Sequence, residues 1–135
     1  MGFDWRGFIA VAQQLHSECL KESEPESKIR CAVSRYYYGA FCYTRDCLAD
    51  IGAFHPEYKT TDHSSLRENL RQKNKASSTL AASKLETLHD HRKTCDYDAN
   101  VNSISPTYAQ VAYELASEII ESIQQFIEEW DSHHQ

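Results

Sequence analysis

Apolar residues recur at steps of three and four along most of the chain, and no segment alternates as a half-buried strand does. Trp5, Phe8, Ala12, Leu15 and Cys19 form one stripe, predicting a helix over about 4–19 with Asp4 as its N-cap. A polar break around Pro25 follows, and a long second helix is predicted from Glu26 to Asp50. Its inner face carries Ile29, Val33, Tyr36, Ala40, Thr44, Cys47 and Ile51, widened by Tyr37, Phe41 and Leu48. Gly52 stands where a left-handed C-terminal cap is expected.

Residues 53–62 read as a loop around His55-Pro56, and a short helix is expected near His63 to Leu70 with Leu66 and Leu70 inward. A polar connection, RQKNKASST, leads to a helix over about 77–96 whose stripe holds Ala81, Leu85, Leu88, Arg92 and Cys95. The last helix opens with Ser105 as N-cap and Pro106 at its first position. Its face is expected to run through Tyr108, Val111, Leu115, Ile119, Ile123, Phe126 and Trp130. Together these segments predict an all-α fold, an up-and-down four-helix bundle with an additional short helix, as a single domain over 1–135.

Composition agrees with that pattern. Four Gly and three Pro leave little material for hairpins, and 41% apolar with 25% charged residues is a globular balance rather than a disordered one. No stretch reaches the roughly 18 apolar residues of a membrane span. The N-terminus has no basic-then-apolar leader pattern, and Arg6 occupies the place where a myristoylation motif wants Ser or Thr. Five cysteines without a Cys-x-x-Cys pair suit a reducing compartment, so a cytoplasmic location is expected.

A net charge of −6 argues against a broad, sequence-independent grip on nucleic-acid backbone. The charge is unevenly spread, however. Arg67, Arg71, Lys73, Lys75, Lys84 and Arg92 lie between Lys59 and Lys93, whereas the C-terminal stretch is acidic. A basic run can be merely a solvated face or a local patch for a phosphate.

Two features stand apart from plain packing. Arg92 shares the apolar stripe of its helix, so its guanidinium points towards the bundle or its edge. It either reaches water or a carboxylate, or it presents a cation to a phosphate in a groove. The second feature is RYYYGAF, in which Tyr36 and Tyr37 face inward while Arg35, Tyr38, Cys42 and Arg45 form a flanking stripe. Such tyrosines serve either as core or as a stacking platform beside cations.

The segment AVSRYYYGAFCYTRDCL, with HDHRKTCDYD about fifty residues later, resembles the HEPN domain superfamily (higher eukaryotes and prokaryotes nucleotide-binding). The similarity is to the branch with Ser-Arg-x-Tyr-Tyr-x-x-Phe on one helix and Arg-x-x-Ala-Asp-Tyr on a later one. Tyr37 and Tyr38 supply the tyrosine pair; Arg92, Asp96 and Tyr97 supply the second motif. The resemblance covers nearly the whole chain in helix order and spacing. It implies a helical bundle, usually a homodimer, with a groove at or near the subunit interface. Many members are metal-independent ribonucleases of toxin–antitoxin or phage-defence systems, some paired with a nucleotidyltransferase-type antitoxin.

The family's active motif is an Arg and a His with four to six residues between them. The His handles the proton of 2′-hydroxyl attack and the Arg stabilises the developing phosphorane charge. Here no Arg is followed by a His at that distance; Tyr97, Asp98 and Ala99 occupy those places after Arg92. His89 and His91 are the imidazoles that could substitute. Tyr97 is the position for adenylation by a partner enzyme, by analogy with the toxin branch.

The expected catalytic set is therefore Arg92, Asp96 and Tyr97, with Arg35, Tyr37, His89 and His91 as binding residues. The sequence calls for no cofactor, and the His91–Cys95 spacing, with Cys42, His63 or His89 as further ligands, is too little for a metal site. Binding or cleavage of RNA is one reading. A catalytically inactive bundle serving as a dimerisation or partner-binding module is the other.

Overall fold

Helix α2 (Glu26–Asp50) is the element around which the rest is arranged, and its bounds coincide with those read from the sequence. In the computed structural model, which describes residues 2–99 and 104–134, it packs against α1 (Arg6–Cys19), α4 (Ala76–Tyr97) and α5 (Pro106–His134). The fifth helix, α3 (Asp62–Gln72), lies chiefly on α4. The fold is all-α, with no strand among the described residues. None of its helices is long and apolar enough to cross a membrane.

Burial follows the predicted stripes closely on α2. Ile29, Val33, Tyr36, Tyr37, Ala40, Phe41, Thr44, Cys47 and Leu48 are all buried. The helix stops because Gly52 turns left-handed at φ 75°, which lets Ala53 N–H donate to Leu48 O at 2.8 Å and Gly52 N–H to Ala49 O at 3.1 Å. Midway along α2, Gly39 brings α1 close. A β-carbon there would lie 2.8 Å from Ile9 Cγ1 and 3.2 Å from the Trp5 carbonyl oxygen.

Three expectations need adjusting. The polar segment after Leu70 is mostly helical, so only Lys73–Lys75 connects α3 to α4, with Asn74 at φ 57° making the turn. On α5 the buried face of the first half is Ala109, Ala112 and Ala116, while Tyr108, Val111 and Leu115 are half-buried. Alanine is small enough to let α5 approach α2 and α4 closely, and the larger residues then fill the edges. On α1, Ala12 and Cys19 are buried but Trp5, Phe8 and Leu15 are only half-buried. Asp4 sits one residue before the N-cap position, where its carboxylate still accepts the Arg6 N–H at 3.0 Å.

The C-terminal end of α4 is held by α2. Arg30 donates to the Cys95 carbonyl at 2.9 Å and to that of Thr94 at 3.3 Å, which also accepts the Asp98 N–H, so the helix end is tied to α2. That anchor fixes the segment from Arg92 to Tyr97 beside the tyrosines of α2. His133 and His134 have side chains outside the described set.

Candidate functional site

Arg92 leaves α4 with only 13% of its side chain exposed. Its Nε donates to Asp96 Oδ2 at 2.8 Å, one helical turn on, and its Nη2 to the Tyr97 hydroxyl at 3.2 Å. The guanidinium is also stacked between two rings, 5.0 Å from the centre of Tyr38 and 5.3 Å from that of Tyr97. Ser34 on α2 donates to the same Asp96 oxygen at 3.4 Å. Arg92, Asp96 and Tyr97 therefore form one unit, with the carboxylate orienting the cation. A half-buried cation so held loses little rotamer freedom when it meets an anion.

Beside this unit lies a stack of rings from three helices. His89 of α4 and His63 of α3 are nearly parallel, 5.1 Å apart at 2°. Tyr37 of α2 stacks on both, 4.9 Å from His89 and 5.6 Å from His63, and Phe41 lies 4.1 Å from His63. The Tyr37 hydroxyl pairs with His63 Nδ1 at 2.5 Å, and Arg67 Nη1 donates to His89 Nδ1 at 3.2 Å.

The pairing with Arg67 settles which nitrogen of His89 carries the proton. A guanidinium can only donate, so His89 Nδ1 must be an acceptor and its proton sits on Nε2. Burial lowers the His89 pKa to about 4, helped by His63, Arg67, Lys93 and Arg92 nearby. Burial likewise lowers His63, with Arg92 and Arg67 adding to the effect. Tyr37 is pushed well above the usual phenol range by burial, so it stays a neutral phenol paired with His63 Nδ1. Both imidazoles are then neutral, and His89 has its Nε2–H as a donor. Together with the two guanidiniums, this donor stands beside Asp96, which is already engaged, while Asp62 acts on His63.

Of the residues expected from the sequence, Arg92, Asp96, Tyr97, Tyr37 and His89 come together here. Arg35 is exposed and lies 5.6 Å from the Phe8 ring on the α1 side. His91 turns the other way, edge-on to Tyr108 of α5 at 5.8 Å. Cys95, its i+4 neighbour, is buried, and among the described residues no three His, Cys, Asp or Glu side chains gather as they would around a metal ion. The basic run between Lys59 and Lys93 disperses. Arg71 pairs with Glu86, Lys84 with Glu118, and Lys73 lies over the Trp130 ring, leaving Arg67 and Arg92 to the cluster.

Sequence reasoning missed the roles of His63 and Arg67. The signal was present: His63 and Arg67 are four apart on α3, and His89 and Arg92 are three apart on α4, so each helix aims a His–Arg pair from one face. An open depression of about 670 Å³ lies between the Phe54–His55 loop and α3 and reaches Arg67, with the Arg71–Glu86 pair at its wall. Comparison with known proteins adds no relative: no family model, curated protein or solved structure matches the chain.

Proposed function

We propose that the chain is a HEPN-type up-and-down helical bundle that binds RNA through the groove around Arg92. The observation carrying this reading is the convergence of Arg92, Arg67, His63 and His89 on one aromatic-walled face, with both guanidiniums and the His89 Nε2–H as donors. A phosphodiester supplies the acceptor oxygens that such a set lacks, and charge-assisted bonds to it are the strong kind. The flanking tyrosines offer faces for bases. The motif resemblance adds the setting, a toxin–antitoxin or phage-defence system acting in the cytoplasm as a homodimer, with a nucleotidyltransferase-type antitoxin or another defence protein as partner.

Binding is favoured over cleavage by the ring chemistry. Removing the 2′-hydroxyl proton needs an imidazole lone pair facing the substrate, yet the Nδ1 lone pair of His89, one turn from Arg92, is already taken by Arg67. Metal-independent cleavage is the second reading, supported by the placing of His89 and His63 beside Arg92 where the sequence motif lacks its His. It would require Arg67 to leave His89 for the phosphate, freeing that lone pair.

The test is fluorescence anisotropy of a labelled single-stranded RNA with the parent and Arg92→Ala, alongside a gel assay for cleavage in EDTA. Micromolar binding weakened at least tenfold by Arg92→Ala, with the RNA intact, is expected. Cleavage that depends on Arg92 would move the assignment to a ribonuclease. A folded parent that neither binds nor cleaves would discard the RNA reading and leave a partner-binding module.

A further inference from the structure

Next to the donor cluster, the loop before α3 holds an aromatic side chain outward at a cost. Tyr58 has φ 59°, a left-handed conformation that an aromatic residue rarely adopts, and it is 70% exposed. Its backbone is fixed from below. Asp62, only 3% exposed, accepts the Tyr58 N–H at 2.8 Å and the Glu57 N–H at 3.1 Å. The Tyr58 ring lies 5.1 Å from the Arg45 guanidinium, which is itself 5.9 Å from Phe41 and 5.7 Å from Trp5 and is tied to Asp46 at 2.8 Å. A large, solvent-facing ring is thus fastened in place with no packing return from its outer surface.

Between this loop and α2 is a cleft of about 240 Å³ whose walls include Tyr38, Phe41, Arg45, Tyr58, Lys59 and His63. Tyr38, Phe41 and His63 also border the donor cluster, so the two sites are continuous. Along the face, aromatic rings and guanidiniums alternate: Tyr97, Arg92, Tyr38, then Phe41, Arg45, Tyr58. The end residues Tyr97 and Tyr58 are the two most exposed large hydrophobic side chains among the described residues. From Tyr38 to Arg45 the helix rises about 10 Å, more than a single phosphate group covers.

From this arrangement we infer that the Tyr58 cleft is a nucleobase subsite. A single strand whose phosphate lies against Arg92 and Arg67 places a neighbouring base between the 57–60 loop and α2, on the Tyr58 ring. The inference rests on the RNA-binding reading above and extends it from the backbone to the bases. Stacking on a phenol selects for a flat base without selecting its hydrogen-bonding edge, so broad sequence tolerance is expected.

The test compares a single-stranded RNA hexamer with an abasic ribose-phosphate hexamer of equal charge, using the full chain in EDTA and a competition anisotropy readout. The parent should bind the base-bearing strand about tenfold tighter, the lower range of what base–aromatic stacking contributes. Tyr58→Gly, which also relieves the left-handed strain, should cut that preference severalfold while leaving the abasic affinity as it was. Tyr58→Phe should keep the preference. Equal binding of both strands by the parent, still dependent on Arg92, would overturn the base subsite and leave the phosphate reading standing. Equal weakening of both strands by Tyr58→Gly would assign Tyr58 to holding the phosphate site and overturn the subsite too. No binding of either strand would remove the RNA reading itself, and the subsite with it.

Discussion

Acidification should loosen this fold through His89 before its carboxylates titrate. The half-buried ring sits among Tyr37 of α2, His63 and Arg67 of α3, and Arg92 and Lys93 of its own helix, and its pKa falls from 6.5 to about 4. The unfolded chain therefore takes up a proton near pH 6.5 that the folded chain refuses until about pH 4. In that window the unfolded state binds more protons, so stability falls as pH falls. Above 6.5 the contribution is constant. The full shift corresponds to about 3 kcal/mol at 1.36 kcal/mol per pH unit, an upper bound because the ring is partly open to water. A loss of about 1–2 kcal/mol between pH 7 and 5 is expected, with His63 acting in the same direction.

Urea unfolding at several pH values, for the parent and for His89→Gln, isolates the effect. The variant keeps a polar side chain that cannot charge in this range, so its curve should be flatter between pH 7 and 5. The two should converge in slope where carboxylates take over. Imidazole proton shifts followed by NMR give the folded pKa directly. Parallel stability curves, or a His89 resonance titrating near 6.5 in the folded protein, would refute the account of a half-buried neutral ring.

Other expectations follow from single contacts. Gly39→Ala should destabilise by about 1–3 kcal/mol despite its better helix propensity, because its β-carbon meets Ile9 and the Trp5 carbonyl; a raised melting temperature would contradict the close packing of α1 on α2. Asp62→Ala should cost about 1–3 kcal/mol by leaving the Glu57 and Tyr58 amides unpaired, and hydrogen exchange at both should speed up. Asp96→Asn should weaken RNA binding less than Arg92→Ala, since it loosens the cation without removing it; an equal loss would make Asp96 a direct contact. Leu88→Ala, fully buried on α4 next to the site, should lower stability by about 2–5 kcal/mol in denaturant titration.

Helical periodicity alone determined the elements and, within most of them, which residues turn inward. The bounds of α2, the Gly52 cap and the placement of Arg92 on an apolar stripe were all legible, because each depends on contacts within a few residues. The α5 face was misread in its first half since alanine fits either side of a helix, and only the closeness of α2 and α4 chooses it. The candidate site was half legible. Arg92, Asp96 and Tyr97 lie within six residues, so their unit follows from one helix turn. His63 and Arg67 belong to another helix, and nothing local says that α3 sets their side chains against those of α2 and α4. That meeting of three helices decides which histidines are neutral, because burial and neighbouring guanidiniums, not sequence spacing, lower the pKa of each ring.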